Sequence, residues 1–100
     1  ESILGVCIMI KIVYEEQNLR TAAYDGDKLA GRCTYVVRDG LWELEHTIVD
    51  PAYGGQGIAG KLVQEIAAQA REHGVKIVPV CSYALKAFEK NAEYADVWAK

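Results

Sequence analysis

The sequence predicts a single α+β domain with a mostly antiparallel sheet, one long crossover helix and a short C-terminal helix. Strand-like segments fill the first half of the chain, a glycine cluster follows, and a helical period begins directly after it. One hundred residues suffice for one hydrophobic core. We expect residues 10–98 to form this domain. We expect residues 1–9 to be an N-terminal extension or a cloning remnant, because Met9 resembles a natural start.

The first half of the chain predicts strands joined by tight turns. Residues 10–14 alternate apolar and polar side chains, and residues 28–37 are rich in β-forming types. The turn signals are Asp25-Gly26-Asp27 and Arg38-Asp39-Gly40, and Asp50-Pro51 ends the last strand of the series. We therefore expect strands at 10–14, 19–24, 28–37 and 41–49.

The second half changes to a helical period. Apolar residues recur at Ile58, Leu62, Ile66 and Ala70, and Gly74 stops the pattern, so a helix over 58–73 is predicted. Residues 75–80 then form a buried strand, which the crossover makes parallel to its neighbour. We expect Ser82 to cap a short helix over 83–90, and an apolar tail to dock on the domain through Tyr94, Val97 and Trp98.

Composition excludes several classes of function. The net charge is −3, which argues against nucleic acid binding, and no apolar run is long enough to cross a membrane. The three cysteines, Cys7, Cys33 and Cys81, form neither an even set nor a Cys-x-x-Cys pair, so we expect no disulfide framework and no metal site. Reduced thiols indicate the cytoplasm. No pattern indicates the oligomeric state.

The stretch 53–61, Tyr-Gly-Gly-Gln-Gly-Ile-Ala-Gly-Lys, is the most informative part of the chain. Four glycines between a strand and a helix allow successive backbone N–H groups to face one anion, and the helix dipole adds positive potential there. The sequence therefore predicts a phosphate site, with a merely tight loop as the alternative.

Two nucleotide motifs fit this stretch incompletely. Residues 55–60 match G-x-G-x-x-G, but no acidic residue stands about 20 positions further on to bind a ribose. Residues 55–61 also match the start of a P-loop, yet Leu62 replaces the Ser or Thr that would bind magnesium. A nucleotide-phosphate binder is thus a third hypothesis only.

A third pattern is a basic residue or Gln followed by x-x-Gly-x-Gly/Ala, and Gly57 and Ala59 occupy its last two places. Together with Glu45-His46-Thr47, the stretch 78–83 and the stretch 91–97, it resembles the small single-domain members of the GNAT N-acetyltransferase superfamily. The resemblance covers about residues 10–97. It implies a minimal GNAT-like fold in which the strands before the turn and after the long helix splay apart around the pantetheine arm of acetyl-CoA.

The resemblance also implies a set of cofactor-binding residues. Gly54 stands where the family usually has Arg or Gln, so backbone N–H groups would carry the pyrophosphate, with Lys61 or Gln56 as compensating contacts. The residues expected to bind acetyl-CoA are Ile48, Val49, Gly54, Gly55, Gln56, Gly57, Ile58, Ala59, Gly60, Lys61 and Lys86.

Catalytic candidates lie on the two splayed elements. Cys81 precedes a helix N-terminus, which lowers a thiol pKa; a buried structural cysteine is the alternative. Alternation over 41–49 predicts His46 on one face with Trp42 and Leu44, as a base or as a core residue. Glu45 and Glu43 are further candidate bases, with solvated surface side chains as the alternative. Tyr83 is a candidate to protonate the leaving thiolate, with a packing role in the domain as the alternative.

The resulting hypothesis is an N-acetyltransferase that moves acetyl from acetyl-CoA to a primary amine of a metabolite or protein. The alternative is a module that binds CoA or acyl-CoA without transferring the acyl group.

Overall fold

The computed structural model describes residues 10–99, so the prediction for residues 1–9 lies outside the described residues. Its elements follow the predicted order: β1 (Ile10–Glu15), β2 (Arg20–Asp25), β3 (Lys28–Arg38), β4 (Leu41–Val49), α1 (Ile58–His73), β5 (Ile77–Pro79) and α2 (Ser82–Lys90). Short 3-10 helices that the sequence did not predict lie at Glu16–Asn18, Pro51–Tyr53 and Ala92–Tyr94.

The five strands form one sheet in the order β1-β2-β3-β4-β5. Three neighbouring pairs are antiparallel and β4 pairs with β5 in parallel, as predicted for a strand that follows a crossover helix. The α+β class and the mostly antiparallel sheet are thereby confirmed.

Helix α1 packs across one face of the sheet against β1, β2, β3 and β4. Its predicted apolar stripe is buried, with Leu62, Ile66 and Ala70 fully shielded from solvent. The hydroxyl of Thr21, a buried polar group on β2, donates a 3.0 Å hydrogen bond to the Leu62 carbonyl. Since a buried hydroxyl needs a partner, this bond ties the helix to the sheet.

The C-terminal segment docks on the same core, as predicted. Tyr94 and Val97 are buried, Trp98 packs against the core from a partly buried position, and Phe88 of α2 stacks on Tyr94 with ring centroids 4.9 Å apart. Among the described residues no helix is long and apolar enough to cross a membrane.

Candidate active site

The glycine turn connects β4 to α1 in a conformation that requires glycine. Gly55 has φ of +80° and Gly57 has φ of +74°, a left-handed region that other residues enter only at a cost. Gly57 is the N-cap residue of α1, and the helix begins at Ile58. The two left-handed residues therefore turn the chain sharply from the sheet into the helix.

The first turn of α1 leaves backbone donors without protein partners in the helix ladder. The backbone hydrogen bonds of the helix begin with Lys61, whose N–H donates to the Gly57 carbonyl at 3.2 Å. The N–H groups of Ile58, Ala59 and Gly60 precede it. No side chain in the part of the chain that the structure describes caps them, and the first turn contains no acidic residue. These donors and the helix dipole make the turn suited to an anion.

The segment before the turn is anchored to the β2–β3 hairpin. The Tyr53 side chain is buried, and its hydroxyl donates a 2.5 Å hydrogen bond to the carboxylate of Asp25. The Lys28 ammonium lies 5.4 Å from the Tyr53 ring centroid and 3.9 Å from Asp50. The Asp50 carboxylate in turn accepts from the Ala52 N–H at 2.9 Å. These contacts fix the segment before the glycine turn against the β2–β3 hairpin.

Strands β4 and β5 separate after a short parallel pairing. The last paired residues are Leu44 and Pro79. Beyond them the N–H groups of Val80 and Cys81 both donate to the Leu44 carbonyl, at 3.1 and 2.9 Å, and the chain then enters α2. Among the described residues, the rest of β4 pairs with β3 alone. An open edge therefore faces the space between β4 and the start of α2, which we call the splay.

A β-bulge in β4 contradicts the predicted alternation of faces. Thr34 pairs with His46 while its neighbour Tyr35 pairs with Leu44, so Glu45 is an extra residue that the ladder skips. Trp42 and Leu44 are buried toward the core, but His46 is exposed and Ile48 is 45% exposed. The prediction that His46 shares a face with Trp42 and Leu44 is wrong, because one extra residue reverses the side-chain direction.

After the bulge it is Thr47 and Val49 that turn toward the core side. The Thr47 hydroxyl contacts the buried Cys33 thiol at 3.5 Å, and Val49 packs against the core. Backbone bonding to β3 continues with the N–H of Asp50 donating to the Ala30 carbonyl. By alternation, the backbone N–H and C=O groups of Thr47 and Val49 then point into the splay.

Cys81 lies in the splay as the N-cap residue of α2, and Ser82 is the first helical residue. The prediction of Ser82 as the cap is therefore wrong by one position. The Cys81 thiol donates to the Thr47 hydroxyl at 3.6 Å. Partial burial alone would raise the pKa of this thiol, but the N–H groups of Ala84, Tyr83 and Thr47 and the Thr47 hydroxyl together lower it below its usual value.

Comparison with known proteins identifies the fold family. The family model of GCN5-related N-acetyltransferases matches residues 20–97. The chain belongs to this family. The mostly antiparallel five-stranded sheet with two helices matches the fold that the sequence resemblance implied, and acetyl transfer from acetyl-CoA is the activity of this family.

One solved structure supports the family assignment, and a second shares the fold. The solution structure of a GCN5-like protein from Staphylococcus aureus, itself assigned as an N-acetyltransferase by inference, is 31% identical, with a TM-score of 0.69. The match covers 92% of this chain and 88% of that one. An acetyltransferase of the GNAT family from Desulfovibrio desulfuricans, also assigned by inference, is 18% identical with a TM-score of 0.57, over 71% of this chain and 52% of that one. This second match shows the fold alone. No curated protein matches significantly.

The predicted cofactor residues of this GCN5-related domain differ in what they can offer a ligand. Gly54, Gly55, Gln56, Gly57 and Lys61 are exposed around the turn, and Lys86 is exposed on α2. Ile58 is buried, so only its backbone N–H remains available. Ala59, Gly60 and Val49 are half-buried, and Ile48 lies on the exposed face with His46.

Tyr83 brings the starts of the two helices together. A Cβ atom added at Gly60 would lie 3.4 Å from the Tyr83 hydroxyl, so this hydroxyl reaches the first turn of α1. The Tyr83 side chain is 42% exposed and borders a shallow groove that also includes Lys86, Ala87, Lys90 and Asn91. The glycine turn, Tyr83 and the groove are therefore neighbours.

The acidic candidates lie at the bulge. Glu45, the bulged residue, is half-buried, and Glu43 pairs with Arg38 at 3.7 Å. Cys33 is fully buried, and burial raises its pKa to about 11, which is typical of a structural cysteine. Among residues 10–99 no group of three or more His, Cys, Asp and Glu side chains is arranged to hold a metal ion.

Sequence reasoning missed three residues that support the site: Thr47, Tyr53 and Gly31. A Cβ atom at Gly31 would lie 3.0 Å from the Ile48 backbone oxygen, and a glycine inside a strand often marks such a close backbone approach, so this signal was available. The Thr47 contacts depend on the bulge, which no local pattern encodes. The Tyr53 contact joins the predicted hairpin to a distant segment, and local patterns do not encode such pairings.

Proposed function

We propose that this domain binds acetyl-CoA and transfers its acetyl group to a primary amine. One observation carries the proposal: the uncapped N-terminus of α1 opens beside the β4–β5 splay, and Cys81 lies in that splay. An anion site next to an open strand edge suits a ligand with a pyrophosphate at one end and an amide-containing arm at the other. The expected cytoplasmic location is part of this proposal.

The pyrophosphate would be bound mainly by backbone N–H groups. Gly54 has no side chain to reach it, whereas Gly55 and Gly57 adopt the left-handed conformation that turns the chain. Lys61 adds a cation on the first turn of the helix. We expect the affinity to be modest, since a charged side-chain hydrogen bond contributes more than a neutral backbone one.

The pantetheine arm would lie along the open edge of β4. The backbone groups of Thr47 and Val49 would pair with its amides, much as a strand pairs with its neighbour. The thioester would then reach the region of Cys81 and Tyr83 at the start of α2.

Direct transfer is one route. The amine nitrogen attacks the thioester carbonyl carbon, the carbon–sulfur bond breaks, and CoA leaves as a thiolate. Glu45 or His46 would accept the proton of the amine, and Tyr83 would protonate the thiolate. The exposure of His46 on the face opposite Thr47 makes it accessible to an acceptor approaching from that side.

A covalent route is the other. The Cys81 thiolate attacks the thioester carbonyl carbon, a new sulfur–carbon bond forms, and CoA leaves as a thiolate. The amine nitrogen then attacks the carbonyl carbon of the acetyl-cysteine, and Glu45 or His46 accepts the amine proton. The carbon–sulfur bond breaks and releases the Cys81 thiolate. The lowered pKa of Cys81 favours the thiolate that this route needs.

The second candidate function is binding of CoA or acyl-CoA without transfer. Gly54 at the position where the family usually has Arg or Gln favours this alternative, because a site that binds weakly can also position its ligand loosely.

Acetyl transfer is tested by incubating the protein with acetyl-CoA and a panel of primary amines. Free CoA and the acetylated amine are both quantified by mass spectrometry, which avoids interference from protein thiols. We expect amine-dependent CoA release that slows in Cys81→Ser or His46→Ala while acetyl-CoA binding persists. Binding without release in the parent protein would support the binding module, and unchanged turnover in both variants would refute the site assignment.

A further inference from the structure

The Thr47 hydroxyl lies between two thiols. It donates to the Cys33 sulfur at 3.5 Å and accepts from the Cys81 thiol at 3.6 Å. Cys33 lies on β3, Thr47 lies on β4, and Cys81 directly precedes α2. These contacts therefore connect the core to the splay.

Cys33 and Cys81 are too far apart to form a disulfide bond with each other. β3 and the segment containing Cys81 flank β4 on opposite sides. Two strand spacings of about 4.8 Å separate their backbones, whereas a disulfide requires Cα atoms about 4.4–6.8 Å apart. The Thr47 hydroxyl is therefore the link between Cys33 and Cys81.

The two thiols differ in how readily they lose a proton. Cys33 is fully buried, and burial raises its pKa to about 11, so it stays a neutral thiol near neutral pH. Cys81 is half-buried beside the first N–H groups of α2, which favour its thiolate. A neutral thiol is a weak hydrogen-bond acceptor and a thiolate is a strong one. Once Cys81 is deprotonated, the Thr47 hydroxyl therefore forms a stronger hydrogen bond by donating to Cys81 than by donating to Cys33.

We propose that Thr47 is a positioning residue that holds the Cys81 side chain in the splay and donates its hydroxyl hydrogen to the Cys81 thiolate. The inference deepens the proposed function, because it rests on Cys81 lying in the acetyl-CoA cleft. Thr47 acts through Cys81 and itself forms no bond to the acetyl group. Its backbone N–H, which points into the splay, supports the same thiolate.

Other titratable groups surround this pair. They are Cys33 on β3, Glu45 and His46 beside Thr47 on β4, and Tyr83 on α2. The His46→Ala variant separates the influence of His46 on the profile from that of Thr47.

The test measures the pH dependence of Cys81 alkylation by iodoacetamide in the full chain. A Cys7→Ser background leaves Cys81 as the accessible thiol, since Cys33 is buried. Thr47→Val removes the hydroxyl and keeps the branched side chain. We expect the midpoint of the profile to rise by about one pH unit, so that alkylation below the midpoint slows about tenfold. Thr47→Ser should keep the parent midpoint, and Thr47→Ala should repeat the shift if the valine variant does not fold.

The control is Cys33→Ala, which removes the competing acceptor but leaves the Thr47 hydroxyl in place. We expect its midpoint not to rise. An unchanged midpoint in Thr47→Val, or an equal rise in Cys33→Ala, would overturn the inference, the latter because it would assign the effect to core packing. Alkylation is measured on the protein without acetyl-CoA, so its result does not depend on the proposed function. Failure of the proposed function would appear separately, as no amine-dependent CoA release by the parent protein.

Discussion

Gly31 of β3 lies against the backbone carbonyl of Ile48 on β4, with no room for a side chain between them. A Cβ atom at position 31 would stand 3.0 Å from the Ile48 oxygen and 3.3 Å from the Val49 Cγ2 atom. The Cγ2 atom of Ile58, the first residue of α1, would lie 3.4 Å away, an ordinary contact distance. The missing side chain therefore lets β3 and β4 pair closely at the end of β4, just before the glycine turn.

Gly31→Ala should weaken both folding and cofactor binding. The added methyl group must displace the β4 backbone at Ile48 or the Val49 side chain, and both border the proposed cleft. We expect a lower unfolding midpoint and a higher Kd for acetyl-CoA, measured by thermal unfolding and calorimetric titration. An unfolding midpoint equal to that of the parent would show that the contact is looser than described.

Gly57→Ala should disrupt the anion site selectively. Gly57 has φ of +74°, and an L-residue in this conformation costs about 1–2 kcal/mol. We expect a loss of stability of this order and, in addition, weaker acetyl-CoA binding, because relaxation of the backbone turns the N–H groups of the first helical turn away from the ligand.

Gly40→Ala is the matched control for Gly57→Ala. Gly40 has φ of +75° in the β3–β4 turn, and a Cβ atom there would meet nothing within 4 Å, as is also true at Gly57. The control should lose similar stability and keep its acetyl-CoA affinity. Equal loss of affinity in both variants would argue that strain alone, rather than the anion site, controls binding.

Tyr53→Phe should loosen the anchor between the turn and the β2–β3 hairpin. The variant loses the hydrogen bond from Tyr53 to the Asp25 carboxylate, a bond that also raises the pKa of Tyr53. We expect a lower unfolding midpoint and a higher Kd for acetyl-CoA with little change in kcat. Asp25→Asn keeps an acceptor oxygen and should have a smaller effect; a larger effect from Asn than from Phe would contradict the proposed anchor.

The Glu15 carboxylate should contribute to stability only above the acidic range. Hydrogen bonds, first from Tyr24 and then from Arg20, lower its pKa below the usual 4.5, against an opposing contribution from burial. A depressed folded-state pKa means that the contribution is present above the unfolded pKa and is lost as pH falls through the folded one. Glu15→Gln should therefore flatten the decline of the unfolding midpoint between about pH 5 and 3. Parallel declines in parent and variant would contradict this.

The regular elements were predictable where local patterns decide them. Helix α1 begins and ends where the apolar period and Gly74 predicted, and β4 spans the predicted 41–49. The strand predicted at 75–80 is shorter, Ile77–Pro79, because its ladder with β4 begins at Trp42 and Ile77 and ends at Leu44 and Pro79. Local sequence does not encode where two distant strands separate.

The candidate site was predictable in composition and less so in geometry. The glycine turn and Cys81 carried recognisable signals, whereas the bulge at Glu45 did not, and that one residue reversed the direction of His46. The Thr47 contacts follow from the same reversal, since Thr47 faces Cys33 only beyond the bulge. The alternation of residues along a strand predicts which face of the sheet each side chain takes only when no bulge interrupts the hydrogen-bond ladder.

Thermal unfolding with acetyl-CoA, with ATP and magnesium, and with NAD, side by side, tests the central claim most directly. A ligand at about 100 times its Kd adds about 2.7 kcal/mol of stability, and in a domain of this size each kcal/mol raises the midpoint by about 4–8 °C. We predict a rise of about 10 °C or more with acetyl-CoA alone. A midpoint that does not move with acetyl-CoA, or that rises with ATP or NAD instead, would contradict the proposed cofactor site and with it the transferase function.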